Sequence, residues 1–336
     1  MSPLFELNSA LSNDTVVYRT LDFFGAAKII ISNQLMFSRA DTFDDKNEGV
    51  DRLLAQLQAS QPNSGCGMGW HNNETARAQH ERIKKSHYIS CWSLNPESVA
   101  MWSLYSPDFC SVRLSTTISK LSVVVENLID KYDLARLTEA NLNQQVAVSV
   151  EGRISPVVYV SLSDICQRIA RRRKAYNRLA DRYDRKHLPM PYLTDIDPKY
   201  LLRQQQRLVP GLGTTCGLKD QSFKHEAEVR LTVRLGEEKC EPWVLDKRAL
   251  LDPNHQYHSI LKGDLRAWRF VSTLSLPERE FVTCPANLID TVAIDPRCPT
   301  HKADFMRLWF KEHNIPVVES NCFGYIPDSF DVYPEW

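Results

Sequence analysis

The 336-residue chain lacks several things that would have decided its class at once. It has no net charge, with 41 Lys and Arg against 41 Asp and Glu, so no global field draws it to nucleic acid or to a membrane surface. No run reaches the roughly 18 apolar residues of a membrane span. The opening Met1-Ser2-Pro3-Leu4-Phe5-Glu6-Leu7 has no basic stretch followed by an apolar one, which argues against a signal peptide. The nine cysteines are odd in number, scattered, and never spaced Cys-x-x-Cys. That usage fits thiols kept reduced in a cytoplasm rather than a disulfide framework or a zinc ribbon. There is no Gly-x-Ser-x-Gly elbow, no Gly-Lys-Ser/Thr phosphate loop and no internal repeat. The glycines of Gly65-Cys66-Gly67-Met68-Gly69 follow no strand in register, so they do not make a dinucleotide fingerprint.

What is present is enough apolar content, 43%, to bury a core in one large domain or two ordinary ones. Val16–Thr20 reads as a strand, followed by a helix capped by Asp22 and running to about Gln34. Leu35–Ser38 and Tyr88–Ser93 read as further strands. Asn95-Pro96-Glu97 reads as the start of a short helix carrying Met101, Trp102 and Tyr105. Phe109–Leu114 is a strand, and Ile118 to Tyr132 has helical spacing. Val146–Val150 and Ile154–Val160 read as a hairpin turning at Glu151-Gly152-Arg153. The chain closes on a strand–helix–strand unit: Ile289–Ile294, Lys302–His313 and Val317–Glu319.

Residues 163–187 change character. From Arg168 to Lys186 there are nine Lys and Arg against two Asp, including Arg171, Arg172, Arg173, Lys174 and Arg178. Such a helix can face phosphates or a protein partner; a solvated helix with one apolar stripe has the same composition. The Pro-, Gln- and Gly-rich stretch after it completes an expected helical insertion or lid over 161–217, set into a core of 1–160 and 218–336.

The strongest pattern is Glu226-Ala227-Glu228-Val229-Arg230-Leu231-Thr232-Val233-Arg234-Leu235. It alternates, with Val229, Leu231, Val233 and Leu235 on one face. A strand that began at Glu226 would set Glu226 and Glu228 about 7 Å apart on the other. Two carboxylates so placed can divide into an electrostatic and an acid–base role, and a solvated face paired to arginines has the same look. Arg19 on the first strand and Ser90 on the middle one complete an Arg, Ser and Glu set. Such a set can hold a phosphate, a ribose and a developing positive charge. Asp44, Asp45 and Glu48 form an acidic turn that either binds Mg²⁺ or caps itself. His255 and His258 are the one close histidine pair and lack further ligands at zinc spacing.

The order Tyr18-Arg19, Phe43-Asp44-Asp45-(x)2-Glu48-Gly49, Ser90-Cys91-Trp92-Ser93, Met101-Trp102-(x)2-Tyr105 and Phe223-Lys224-(x)3-Glu228-Val229-Arg230 resembles a widespread bacterial domain family of unknown function. The chain departs from that family at Asp44 and at Lys46-Asn47. The Arg, Ser, Glu-x-Glu order is also similar to the Arg-Ser-Glu class of ADP-ribosyltransferases. That likeness implies a mixed α+β fold of two facing, mostly antiparallel sheets with NAD between them. It implies Arg19, with Tyr18, at the NAD phosphate or ribose, Ser90 at the nicotinamide ribose, and Trp102 and Tyr105 near the nicotinamide. Glu228 becomes the catalytic glutamate and Glu226 the residue that positions or deprotonates the acceptor. It implies, finally, a cytoplasmic toxin or anti-phage effector that acts on a protein or nucleic-acid acceptor, with an antitoxin or defence partner. A metal-dependent nuclease built on Asp44, Asp45 and Glu48, and a non-catalytic binding or sensor module, are the readings from other classes.

Overall fold

Period-two alternation and one long basic helix account for most of the observed architecture. The computed structural model describes residues 5–51, 54, 80–81, 84–131, 145–186, 216–235, 268–272 and 277–324. After β1 (Phe5–Leu7), β2 (Val16–Asp22) runs directly into helix α1 (Phe23–Ser32). Asp22 caps that helix, its Oδ1 accepting from the Gly25 N–H at 2.8 Å, and Asn33 closes it in the left-handed region at φ +50°. Then come β3 (Gln34–Arg39), β4 (His87–Ser93), α2 (Val99–Tyr105), β5 (Ser111–Thr117) and α3 (Ile118–Lys131). The middle of the chain gives β6 (Gln145–Pro156), β7 (Val158–Val160), α4 (Leu162–Asp184) and β8 (Leu218–Asp220). It ends with β9 (Glu228–Leu235), β10 (Trp268–Ser272), β11 (Arg279–Thr283), β12 (Thr291–Ile294), α5 (Thr300–Glu312) and β13 (Val317–Val318).

Eleven of the described strands form one mixed, mostly antiparallel sheet, ordered β1-β6-β9-β4-β2-β5-β12-β13, with β10 beside β6 and the β3–β11 pair beside β4. Only β1–β6 and β12–β13 are parallel among its registered pairs. The second of these pairs is the expected closing strand–helix–strand unit, α5 supplying the crossover. This sheet belongs to a first compact unit, residues 1–38, 88–156 and 224–336. A second unit comprises 39–87 and 157–223, so the expected insertion at 161–217 falls in it together with the acidic turn. There α4 packs Leu162 and Ile165 against Leu54 and Leu218, beside the parallel β7–β8 pair. Among the described residues no helix is long and apolar enough to cross a membrane.

One face of the large sheet carries the main cores. Leu121, Val124, Val125, Leu128 and Ile129 of α3 cover Val17, Tyr88, Trp92, Val229, Leu231 and Val233. Phe23 and Ala26 of α1 join Ala303, Met306 and Phe310 of α5 over Val112, Leu114, Val292 and Ile294.

Two expectations are corrected. The hairpin at Glu151-Gly152-Arg153 is one continuous strand, β6, paired with β9 from Val150–Leu235 to Pro156–Val229. Gly152 is there for clearance rather than for a turn. A Cβ on it would lie 2.6 Å from Val125 Cγ1 and 2.7 Å from Ile129 Cδ1 of the helix above. The short helix starts at Val99 and is capped by Ser98, whose Oγ accepts from the Met101 N–H at 3.2 Å. Asn95 instead closes a turn on itself, accepting from the Glu97 N–H at 3.2 Å.

Candidate functional site

The three strands that carry the Tyr-Arg, Ser and Glu-x-Glu signals are far apart in sequence and consecutive in the sheet, in the order β9-β4-β2. Arg19 and Ser90 meet: the guanidinium Nη1 donates to Ser90 Oγ at 3.1 Å. The same guanidinium lies 5.9 Å from the centre of the Trp92 ring. Among the described residues these are its only polar and ring contacts, and no carboxylate lies within ion-pair distance. Burial holds the Arg19 pKa below its ordinary value, opposed only by the nearby Cys91. An arginine has five N–H donors and keeps its charge, so most of this group's bonding capacity is unspent in an enclosed place. Beside it, the buried indole Nε1 of Trp92 has no hydrogen-bond partner among the described residues.

The carboxylate pair is built differently from the expectation. Glu226 ends a 3₁₀ turn, Gln221–Glu226, and Ala227 then sits at φ +42° before β9 begins at Glu228. That left-handed residue interrupts the alternation, so the two acids are not successive outward positions of one strand. Neither is solvated: Glu226 is 6% and Glu228 4% exposed. The corner is pinned by Ser93, whose Oγ donates to the Glu226 carbonyl at 2.6 Å, and by the Leu94 N–H donating to the Ala227 carbonyl at 2.8 Å. The Tyr105 hydroxyl donates to Glu226 Oε1 at 3.1 Å. Arg230 forks onto Glu228, Nε to Oε1 at 2.8 Å and Nη2 to Oε2 at 3.2 Å, and is itself buried. A bidentate guanidinium keeps that carboxylate in its charged form.

Strand alternation then divides the expected set. Arg19 shares a face with Val17, and Ser90 with Tyr88 and Trp92; all five of those strand positions look toward the core under α3. Val229 and Leu231 look the same way, so Glu228 and Arg230 look the other. On that second face lie Tyr18 and Ser93, the one registered pair between β2 and β4. Arg113 is there too, 5.3 Å from the Tyr18 ring centre and 2.7 Å from Glu97 Oε1. The structure therefore joins Arg19 to Ser90, and Glu226 to Tyr105 and Ser93, on opposite sides of β4.

Trp102 is 1% exposed and packs against Ala293 and Cys322, so it is a core residue and its ring is not offered to a ligand. Tyr105 is exposed, with its hydroxyl on Glu226. In the second unit, Arg171, Lys174 and Arg178 are exposed on α4 at helical spacing; the side chains of Arg172 and Arg173 lie outside the description. The acidic turn caps itself, Asp45 Oδ1 accepting from the Asn47 N–H at 2.9 Å, and Glu48 is buried with Oε1 on the Gly49 N–H at 3.1 Å. Among the described residues no three His, Cys, Asp or Glu side chains are arranged to hold a metal. His255 and His258 lie outside the described residues.

Sequence reasoning did not assign roles to Ser93, Arg230 or Arg113. Period two places Arg230 next to Glu228 on one face, so that partnership was readable. The Ser93 bond to a backbone carbonyl left no sequence signal. Compared with known proteins, the chain matches no protein-family model, no curated protein and no solved structure.

Proposed function

We propose that this chain is an NAD-dependent ADP-ribosyltransferase-like enzyme that breaks the nicotinamide–ribose bond and passes ADP-ribose to a protein or nucleic-acid acceptor, in the manner of a toxin or anti-phage effector. The observation that carries the reading is Arg19: an enclosed guanidinium with one neutral hydrogen bond and no carboxylate partner among the described residues. Burying a charge is costly unless it is paired, and the partner that fits a free guanidinium fork is an anion such as a pyrophosphate. The mixed, mostly antiparallel sheet and the adjacency of the three signal strands support the same reading.

In this mechanism Arg19 holds the phosphates and Ser90 a ribose hydroxyl. Nicotinamide leaves as a neutral base with the electron pair of the glycosidic bond. Glu228, kept ionised by Arg230, faces the positive charge that develops at the anomeric carbon. Glu226 takes the proton from the acceptor's nucleophile as that nucleophile bonds to the same carbon. The two faces impose a condition. This reading requires the dinucleotide to reach both sides of β4, since Arg19 and Ser90 lie on the core face and Glu228 on the other.

Adenine-labelled NAD, incubated with the purified chain with and without cell lysate, tests this. Label transferred to protein or nucleic acid is expected, lost in Glu228→Gln and Glu226→Gln. Glu228 also anchors a buried arginine, so melting curves accompany that variant. Glu226→Gln serves as the second, because the Tyr105 hydroxyl bonds an amide oxygen equally well. Wild-type NAD affinity in Arg19→Ala, by calorimetry, sinks the proposal. The buried Glu228–Arg230 pair favours one other reading, a non-catalytic anion-binding module in which Glu228 is structural. It predicts NAD bound at Arg19 and recovered intact, with Glu228→Gln altering stability alone.

A further inference from the structure

The ladder between β5 and β12 ends with the Asp295 N–H donating to the Ser111 carbonyl at 3.1 Å, and just past that bond the two chain segments bring two cysteines together. Cys110 precedes β5. Cys298 is held three residues beyond Asp295 by its own N–H on the Asp295 carbonyl at 2.8 Å, just before α5. Cys110 is a close enough neighbour to raise the Cys298 pKa, second to burial. Lys302, in the first turn of α5, donates from Nζ to Cys110 Sγ at 3.3 Å, and its ammonium pKa is raised, chiefly by that bond. Both cysteines are free thiols, Cys110 buried and Cys298 partly exposed. Lys302 thus sets a cation and a hydrogen-bond donor on the Cys110 sulfur, which itself donates to the Asp108 carbonyl at 3.3 Å. Nothing in the proposed NAD chemistry uses any of these groups.

We propose that Cys110 and Cys298 are a peroxide-reactive thiol pair, with Cys110 as the attacked thiol, Lys302 as its activating cation and Cys298 as the resolving thiol. The Cys110 thiolate attacks one oxygen of hydrogen peroxide and the O–O bond breaks. Hydroxide leaves and is protonated to water, and Cys110 becomes a sulfenic acid. The Cys298 sulfur then attacks Cys110 Sγ. The S–O bond breaks, hydroxide takes the Cys298 proton and leaves as water, and a disulfide remains. Peroxide is reduced and the two thiols are oxidised, with no other reactant required. Burial, and then the neighbouring Cys110, push the Cys298 thiol up to about 11, so it stays protonated and condensation is the slower step. The sulfenic acid at Cys110 accordingly accumulates before the disulfide. The disulfide ties the start of β5 to the start of α5.

The test treats the full-length chain with hydrogen peroxide and maps every thiol by alkylation and non-reducing peptide mass spectrometry. Exposed Cys166 serves as the internal reference. Expected are a dimedone adduct on Cys110 early and a Cys110–Cys298 linked peptide later. In Cys298→Ser the adduct persists and no linked peptide forms. In Lys302→Met oxidation of Cys110 slows by roughly tenfold, the effect of losing one charge-assisted hydrogen bond to the reacting sulfur. The proposal is overturned if both thiols remain alkylatable at a dose that oxidises Cys166, or if Cys110 links to another cysteine. An unchanged rate in Lys302→Met removes Lys302 from the assignment.

Discussion

At the scale of single residues, the two arginines of the motif strands, Arg230 buried and Arg19 half-buried, behave oppositely. Arg230 has a bidentate carboxylate, Glu228; Arg19 has a serine. Truncating Arg230 to Met strands a buried carboxylate, which costs about 3–5 kcal/mol of stability. Chemical denaturation reads this directly, and much of the loss should return in the Arg230→Met, Glu228→Gln double variant, where the stranded charge is gone. Arg19→Ala is expected to change stability little, because it removes one neutral bond and a half-buried charge that has no carboxylate partner among the described residues. Its effect should fall on affinity for a phosphate ligand instead, by roughly 10- to 100-fold for one lost charge-assisted contact. Titration of pyrophosphate or NAD checks it, and equal binding by the two proteins rules out Arg19 as the anion group. Arg230 was given no role from the sequence, whereas Arg19, Ser90 and Glu228 were legible in it as candidates. Their facing was not. Arg19 and Glu228 look like partners on a list of motifs, and only the shared parity of Val17, Tyr88, Trp92 and Val229 on one core puts them on opposite sides of β4. The burial of Glu226 was equally hidden, because the turn ending at that residue and the left-handed Ala227 leave no trace in hydrophobic periodicity.

At the scale of elements, periodicity did well where one face is buried and poorly where a residue type had two explanations. The helix after Asp22 and the closing strand–helix–strand unit follow from caps and spacing alone. Asp22→Ala removes the cap on α1 and should cost about 1 kcal/mol, seen as a lower denaturation midpoint with an unchanged slope. Gly152 shows the other case. Glycine in a strand pattern marks either a turn or a close approach, and the sequence does not say which. Here helix α3 crosses β6 so closely that a methyl group at 152 meets Val125 and Ile129 at under 3 Å. Gly152→Ala is therefore expected to destabilise by about 1–3 kcal/mol through overpacking, whereas a turn glycine with negative φ would tolerate alanine. A co-substitution that shortens the neighbour, Ile129→Val, should recover part of the loss; failure to recover any would locate the strain elsewhere.

At the scale of the whole molecule, composition pointed to a neutral protein with reduced thiols and the family resemblance implied an α+β fold, with which the mixed sheet agrees. The division into units was harder to read. Segments 39–87 and 157–223 come together across more than 60 residues of intervening chain, and local pattern carries no record of that pairing. The same long-range construction concentrates charge where unfolding by acid can find it. Asp295 has a fully buried side chain, and Glu97 is part-buried against Arg113, Ser320 and Cys322. Burial alone would raise both pKa values. Hydrogen bonds from Arg297 and Ser106 to Asp295, and from Ser320, Arg113 and Cys322 to Glu97, outweigh it and hold both below the usual carboxylate range. A carboxyl group whose folded pKa is depressed gives its full stabilisation above the unfolded value, near 4, and loses it as pH falls through the folded value. Stability is thus expected to be flat in these two groups from neutral pH to about 4 and to drop below it. Asp295→Asn should lower stability at pH 7 and flatten the acid limb, since the group that must be protonated is absent. Urea midpoints of the two proteins between pH 3 and 7 measure this, and parallel curves across that range would show that Asp295 is not among the groups that drive acid unfolding.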